Sequence, residues 1–144
     1  MKRLIYPLLC GLLFTGQTVW GRVTLPNHFT SNMVLQQKST LKIHGTATPG
    51  KQVTLTTGWN KKGVTAQASQ TDGSFTLTIQ TPKGGLKPYE MIFSDGEETT
   101  LKNVLIGEVW LGSGQSNMEM PLKGWGKVLN YEEEIANAKY PQIR

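Results

Sequence analysis

Cysteine and histidine are scarce in this sequence of 144 residues. Cys10 is the only cysteine, and His28 and His44 are the only histidines. Cys10 falls in a segment that we interpret as a removable leader, so the mature chain is expected to have no disulfide bond, no thiol catalysis and no cysteine-based metal site. A lipoprotein anchor at Cys10 is disfavoured because Leu9, rather than a small residue, precedes it. The histidines lack ligand spacing around them, so we predict no metal site.

The sequence has no hydrophobic run long enough to span a membrane. The longest apolar stretch, Leu4 to Phe14, follows the charged pair Lys2 and Arg3 and precedes the small-residue pattern Val19-Trp20-Gly21. This order is typical of a secretory signal peptide in residues 1–21, with cleavage before Arg22. We therefore expect a secreted or periplasmic protein without stable membrane insertion.

Concentrated positive charge is also missing. The formal net charge of +5 falls to +3 when Lys2 and Arg3 leave with the leader, and the remaining lysines form no run and no stripe interleaved with aromatic residues. Nucleic-acid binding normally needs such a basic patch. We therefore predict no nucleic-acid partner and interpret the lysines as solvated surface residues.

Residues 22–103 have the pattern of a mainly β, amino-terminal β-sandwich domain. Apolar and polar residues alternate between turn signals, as they do in strands with one buried face. Asp72-Gly73, between two alternating segments, is the strongest hairpin signal. His44 is predicted to face solvent, and Trp59 is predicted to fold back from a turn onto the sheet. The alternating apolar positions are Leu41 and Ile43, Val53 and Leu55, Val64, Ala66 and Ala68, Phe75, Leu77 and Ile79, and Met91 and Phe93.

The candidate site begins where an apolar run ends in small residues. The run from Val104 to Leu111 predicts a strand buried on both faces, and Gly112-Ser113-Gly114 then leads to Ser116, where a helix is expected to start. A serine on such a bend can be exposed as a nucleophile, with the free N–H groups of the helix start beside it as oxyanion donors. The alternative is that Ser116 and Glu119 form an ordinary capping box.

The residues that follow predict a loop and a second helix. Trp125, between two glycines, either lines a sugar pocket or fills a seam between loop and sheet. Asn130 is expected to cap a helix that Pro141 ends, with the apolar face that contains Ile135 packed on a sheet. The glutamates of its first turn complement the helix dipole and are not interpreted as catalytic groups.

Two segments resemble the sialate O-acetylesterase family, within the SGNH hydrolases. The first is Gly107 to Leu111 followed by Ser113-Gly114-Gln115-Ser116-Asn117-Met118-Glu119-Met120-Pro121, which is similar to the nucleophile block of that family. The second is Leu25-Pro26 with Asn32-Met33-Val34-Leu35-Gln36, which is similar to its opening segment. The resemblance implies that residues 104–144 are the start of an SGNH-type α/β domain, incomplete in this sequence.

The resemblance also implies a function and names its residues. Ser116 would be the catalytic nucleophile of an esterase that removes O-acetyl groups from sialic acid or related sugars, without a cofactor. From their positions in the sequence, apart from the resemblance, Gln115 and Asn117 are candidate oxyanion donors or site neighbours. Glu119 and Trp125 are candidate substrate contacts, although a capping role is favoured for Glu119. The aspartate and histidine of the family lie in later blocks that are not in this sequence, so we expect the 144 residues alone to have little or no activity.

Two other functions agree with the sequence. The chain could be a non-catalytic β-sandwich module that binds a glycan or an envelope partner, with Ser116 as a helix cap. It could also be a structural sandwich in which residues 104–111 form the last strand and the tail is a mobile helix. The Gly-Gln-Ser-Asn block is explained by neither of them.

Overall fold

A computed structural model describes residues 22–144 and shows a mainly β protein, as predicted. The proposed signal peptide, residues 1–21, lies outside the described residues. Among the described residues there is no helix long and apolar enough to cross a membrane. The elements are strands β1 (Val34–Gln36), β2 (Thr40–Thr46), β3 (Gln52–Thr57), β4 (Asn60–Gln67), β5 (Ser74–Gln80), β6 (Gly85–Ser94) and β7 (Glu98–Gly107), and helices α1 (Ser116–Glu119) and α2 (Tyr131–Asn137).

The strands form two sheets. Five strands pair in the order β1-β7-β6-β3-β4, and β2 pairs with β5 in a two-stranded sheet. All neighbouring pairs are antiparallel except β1 and β7, which are parallel in the register Val34 with Leu105, Leu35 with Ile106 and Gln36 with Gly107. The parallel pair joins the beginning of the described chain to the strand that leads to Ser116.

Both sheets contribute to one hydrophobic core. In β5 the side chains of Phe75, Leu77 and Ile79 are buried while the residues between them are exposed, so the predicted period-two alternation is confirmed there. Ile43 from β2 is completely buried in the same cluster. From the larger sheet the cluster includes Val53, Leu55, Met91, Phe93, Leu101, Val104 and Ile106.

Trp59 and His44 lie as the sequence predicts. Trp59 folds back from the β3–β4 turn, donates from its indole N–H to the Gln80 carbonyl oxygen at 2.9 Å, and packs edge-on against the Tyr89 ring. His44 is exposed on β2. Its aromatic neighbours, His28 and Phe29, come from the loop that precedes β1.

The hairpin predicted at Asp72-Gly73 is wrong. The turn connects β4 to β5, which belong to different sheets, so it carries the chain from one sheet to the other. The turn chemistry is nevertheless as expected: Gly73 has φ +69° and the Asp72 carboxylate accepts a hydrogen bond from the Ser74 N–H at 3.0 Å. Hydrogen bonds lower the pKa of Asp72 to about 2, with the largest contribution from the Ser69 side chain and smaller ones from Ser74.

The strand predicted from Val104 to Leu111 is also shifted. β7 runs from Glu98 to Gly107, across the proposed boundary at residues 103 and 104, and that division into domains stays a prediction. Beyond Gly107 the apolar residues leave the sheet and are exposed, with Trp110 at 88% and Leu111 at 93%. The strand stops level with both of its neighbours: Gly107 pairs with Gln36, the last residue of β1, and Ile106 pairs with Gly85, the first residue of β6.

The second helix is shorter and less packed than predicted. α2 begins after Asn130, with acidic residues in its first turn as expected, and ends at Asn137. The Asn130 side chain does not cap the backbone but donates to the Glu134 carboxylate at 2.8 Å. No residue of α2 is buried, and Ile135 is half exposed, so the predicted packing of its apolar face on a sheet is wrong for the described structure.

Candidate functional site

Ser116 lies at the start of α1, nine residues after Gly107, the last residue of β7. The segment from Glu108 to Gln115 has no regular secondary structure, and Ser116 itself is exposed. The structure shows no side-chain hydrogen bond to the Ser116 hydroxyl within residues 22–144, so this oxygen is open to an incoming group. The chain therefore has the predicted order of strand, bend and helix, but the bend is longer than predicted.

The capping-box alternative is not what the structure shows. The residue at the N-cap position of α1 is Gln115, and no side chain caps this helix. Ser116 is the first helical residue, so Glu119 lies only three residues into the same turn, and both side chains are free of the reciprocal bonds that define a capping box. Helix capping thus gives no structural reason for the serine at position 116.

The small residues before Ser116 are explained by Met118. A Cβ atom at Gly114 would lie 2.8 Å from Met118 Cγ, and one at Gly112 would lie 3.1 Å from Met118 Cε. The methionine side chain therefore folds back over both glycines. α1 is a single turn, so its dipole is small, and any oxyanion stabilisation would come from its individual free N–H groups, such as those of Ser116 and Asn117.

A cluster of polar side chains fixes the other end of the segment. Glu108 accepts hydrogen bonds from the side-chain amides of Gln36 at 2.8 Å and Gln37 at 2.5 Å. Gln36 in turn accepts the Val109 N–H at 2.9 Å through its Oε1 atom. These bonds from Gln36 and Gln37, helped by the positive charge of Lys38, hold the pKa of Glu108 below its usual range.

Sequence reasoning missed this cluster. Gln36 closes one segment of the family resemblance and Glu108 stands in the other, but their pairing depends on β1 lying parallel to β7, about seventy residues further along the chain. The available signal was that both segments carry polar residues directly after apolar ones. It would have predicted a contact only together with the correct strand pairing.

The remaining predicted site residues are not brought together into a pocket. Gln115, Asn117 and Glu119 are exposed, as is Trp125 at 51%. A cavity of about 790 Å³ lies instead beside the end of β7. Its lining includes Gln37, Gly84, Glu108, Trp110 and Arg144, and neither Ser116 nor Trp125 is among the lining residues.

The histidines are close to each other. The ring centroids of His28 and His44 are 5.7 Å apart. The Phe29 ring, next to His28 in the same loop, lies 4.3 Å from the His28 ring and 5.7 Å from the His44 ring. No hydrogen bond joins either histidine to Ser116 in the described part of the chain. Among residues 22–144, no group of three or more histidine, cysteine, aspartate or glutamate side chains could bind a metal ion.

The chemistry open to these residues is limited to that of an exposed serine at a helix start. An exposed serine hydroxyl next to free backbone N–H groups can attack a carbonyl and stabilise the resulting oxyanion, but a serine needs a general base to react at neutral pH. Within residues 22–144 no side chain is positioned as that base.

Comparison with known proteins agrees with the resemblance seen in the sequence. No protein-family profile matches the chain. The chain is 33% identical over 152 aligned residues to the sialate O-acetylesterases of Pongo abelii and Homo sapiens, an alignment that covers 98% of the chain and 28% of each relative. The chain thus spans 28% of the length of these curated relatives.

A solved structure gives the same result. The crystal structure of a carbohydrate acetylesterase from Xanthomonas citri superposes with a TM-score of 0.72 at 29% sequence identity, over 84% of this chain and 26% of that one. The predicted family resemblance is therefore confirmed, for an amino-terminal portion of the relatives.

Proposed function

We propose that this chain, which corresponds to an amino-terminal portion of the sialate O-acetylesterases, carries the serine nucleophile of an exported carbohydrate esterase. The relatives are named for removing acetyl groups from sialic acid or from carbohydrate. We extend that activity to this chain with O-acetylated sialic acid, or a related O-acetylated sugar, as the substrate.

The proposed reaction follows from the position of Ser116. Its hydroxyl oxygen attacks the acetyl carbonyl, and the hydroxyl proton passes to a general base supplied by polypeptide outside these 144 residues. The carbonyl oxygen becomes an oxyanion, which the N–H groups of Ser116 and Asn117 stabilise. When the tetrahedral adduct collapses, the bond between the carbonyl carbon and the sugar oxygen breaks, and the sugar oxygen takes the proton from the base to leave as a hydroxyl. Water then hydrolyses the acyl-serine, which releases acetate and restores the serine hydroxyl.

The observation that supports this proposal most is the accessibility of Ser116. The side chain is exposed on a bend after a buried strand, and it does not serve as a helix cap. A hydroxyl buried in the core or committed to the backbone could not reach an ester. Trp125, half exposed nine residues further on, is the proposed aromatic surface for a sugar ring.

Segment exchange tests the assignment. Residues 22–144 replace the matching portion of the Xanthomonas citri acetylesterase, and acetate release from an acetylated sialoside is measured before and after Ser116→Ala. We expect this substitution to lower kcat by roughly 10³-fold or more, because loss of a nucleophile leaves only the catalysis due to oxyanion donors and binding. The unfused 144-residue chain is expected to release little or no acetate.

Ser113→Ala provides the matched control. Ser113 lies in the same segment three residues earlier and is also exposed, so its substitution removes the same atoms without removing the proposed nucleophile. Full turnover in the Ser116→Ala protein would contradict the assignment and would favour a glycan-binding role for this module.

A further inference from the structure

The end of β7 is fixed by side chains rather than by further strand pairing. The β1–β7 ladder stops at the pair Gln36 and Gly107, after which the Gln37 N–H donates to the Gly107 carbonyl at 2.8 Å. Beyond that point the contacts of β1 with this segment pass through the Gln36 side chain and the Glu108 carboxylate.

These side chains form one connected cluster, which we call the Gln36–Gln37–Glu108 cluster. The two carboxylate oxygens of Glu108 accept one amide N–H from each glutamine. The amide oxygens point the other way: Gln36 Oε1 accepts the Val109 N–H at 2.9 Å, and Gln37 Oε1 accepts the Gly84 N–H at 2.7 Å. Every donor in this arrangement faces an acceptor.

The pattern also fixes which way each amide is turned. Because Glu108 is acceptor-only when ionised, both glutamines must present their NH₂ groups to it, and their oxygens are therefore free for Val109 and Gly84. One carboxylate thus orients two amides, and through them two backbone N–H groups, one directly before β6 and one in the segment after β7.

We propose that Glu108 is a positioning residue for the Ser116 segment, acting with Gln36 and Gln37 to set the direction in which the chain leaves β7. This inference rests on the proposed function of Ser116. The segment from Trp110 to Gln115 has no strand or helix of its own, so its path is set by its two ends. The Met118 side chain packs at one end, and the cluster sits at the other.

The cluster offers a complementary exchange of groups. Glu108→Gln places an amide NH₂ against a glutamine NH₂, and Gln37→Glu places two carboxylates against each other. In the Gln37→Glu/Glu108→Gln protein the matching is restored: the new carboxylate accepts both the Gly84 N–H and the new amide, whose oxygen accepts from Gln36. The double variant therefore distinguishes an effect of broken donor–acceptor pairing from an effect of losing either original side chain.

Two measurements test the proposal. In the 144-residue chain, amide hydrogen exchange at Val109 and Gly84 is followed by NMR; each single variant is expected to speed exchange about two- to tenfold, and the double variant to restore it. In the segment-exchange esterase, each single variant is expected to lower kcat about 10- to 100-fold with little change in KM, with recovery in the double variant.

Glu98→Gln is the control, because it removes the same charge from an exposed position at the opposite end of β7. If Glu108→Gln changes the exchange of Val109 no more than Glu98→Gln does, the cluster has no ordering effect and the proposal is overturned. If exchange follows the expected pattern but kcat is unchanged, the positioning role is overturned. Full activity of Ser116→Ala would instead overturn the proposed function, and the exchange result would still decide whether the cluster orders its segment.

Discussion

Gly73 is predicted to be far less replaceable than Gly50, although both have nearly the same backbone conformation. Gly73 has φ +69° and Gly50 has φ +72°, so alanine at either position costs about 1 kcal/mol for the left-handed conformation. The two sites differ in their neighbours. A Cβ atom at Gly73 would lie 2.2 Å from the Ala47 carbonyl oxygen, whereas one at Gly50 would meet only Gln70 Cγ at 3.6 Å.

The clash at Gly73 involves backbone on both sides. Gly73 also accepts the Ala47 N–H at 2.9 Å, so the carbonyl of Ala47 can move away only if this hydrogen bond is distorted. Forcing extra atoms into such a contact costs about 1–3 kcal/mol. Added to the conformational cost, this gives an expected loss of about 2–4 kcal/mol for Gly73→Ala, against about 1 kcal/mol for Gly50→Ala.

Urea unfolding of both variants, followed by tryptophan fluorescence, measures the difference. With a slope of about 1–2 kcal/mol per molar urea, the midpoint of Gly73→Ala should lie about 1 M below that of Gly50→Ala. Equal midpoints would refute the reasoning, because they would show that the close approach of Gly73 to Ala47 has no energetic consequence.

Two further predictions concern carboxylates. Burial raises the pKa of Asp95, but hydrogen bonds from the Thr48 N–H at 3.0 Å and from the Thr48 hydroxyl at 2.9 Å outweigh this effect and lower the pKa. Asp95→Ala removes these bonds, so we expect it to lower the free energy of unfolding by about 1–3 kcal/mol, measured by urea unfolding at neutral pH. Because the pKa of Asp95 is lower in the folded state, this contribution is present above the unfolded pKa of about 3.9 and is lost as the pH falls through the folded value. The unfolding free energies of wild type and variant should therefore approach each other in acid, and a difference that stays constant with pH would contradict this. Hydrogen bonds from Gln36 and Gln37 likewise lower the pKa of Glu108. Protection of the Val109 N–H against hydrogen exchange should therefore persist at pH 5 and disappear only below the usual glutamate pKa of about 4.3. Loss of this protection between pH 7 and pH 5 would contradict the prediction.

The strands were predictable because their burial pattern is local. Phe75, Leu77 and Ile79 alternate with threonines, and this period of two is enough to place one face in the core. The choice of partner strand was not predictable in the same way. Asp72-Gly73 has the chemistry of a tight turn in either a hairpin or a connection between sheets, and only the distant pairing of β5 with β2 decides between them.

The end of β7 shows the same limit at the candidate site. Trp110 and Leu111 are apolar, which favours a continued strand, yet β7 ends at Gly107, where neither β1 nor β6 continues beside it. An apolar sequence indicates a preference for burial, but the extent of a strand depends on whether a partner is present beside it. The prediction of Ser116 as a nucleophile is independent of this error, since it rests on the bend and not on where the bend begins, and it stays a prediction.

The parallel pairing of β1 with β7 gives the two separated family segments a common physical meaning. The first segment supplies Gln36, and the second supplies Glu108 and Ser116. The structure joins the two segments through the β1–β7 ladder, which stops at Gly107, and through the hydrogen bond from Gln36 to the Glu108 carboxylate. α1 is a single exposed turn with no capping side chain, so it cannot by itself determine where Ser116 points. Under the positioning role proposed for Glu108, the β-rich part of the chain sets the position of the serine, and β1 then contributes to the candidate site as well as to the fold.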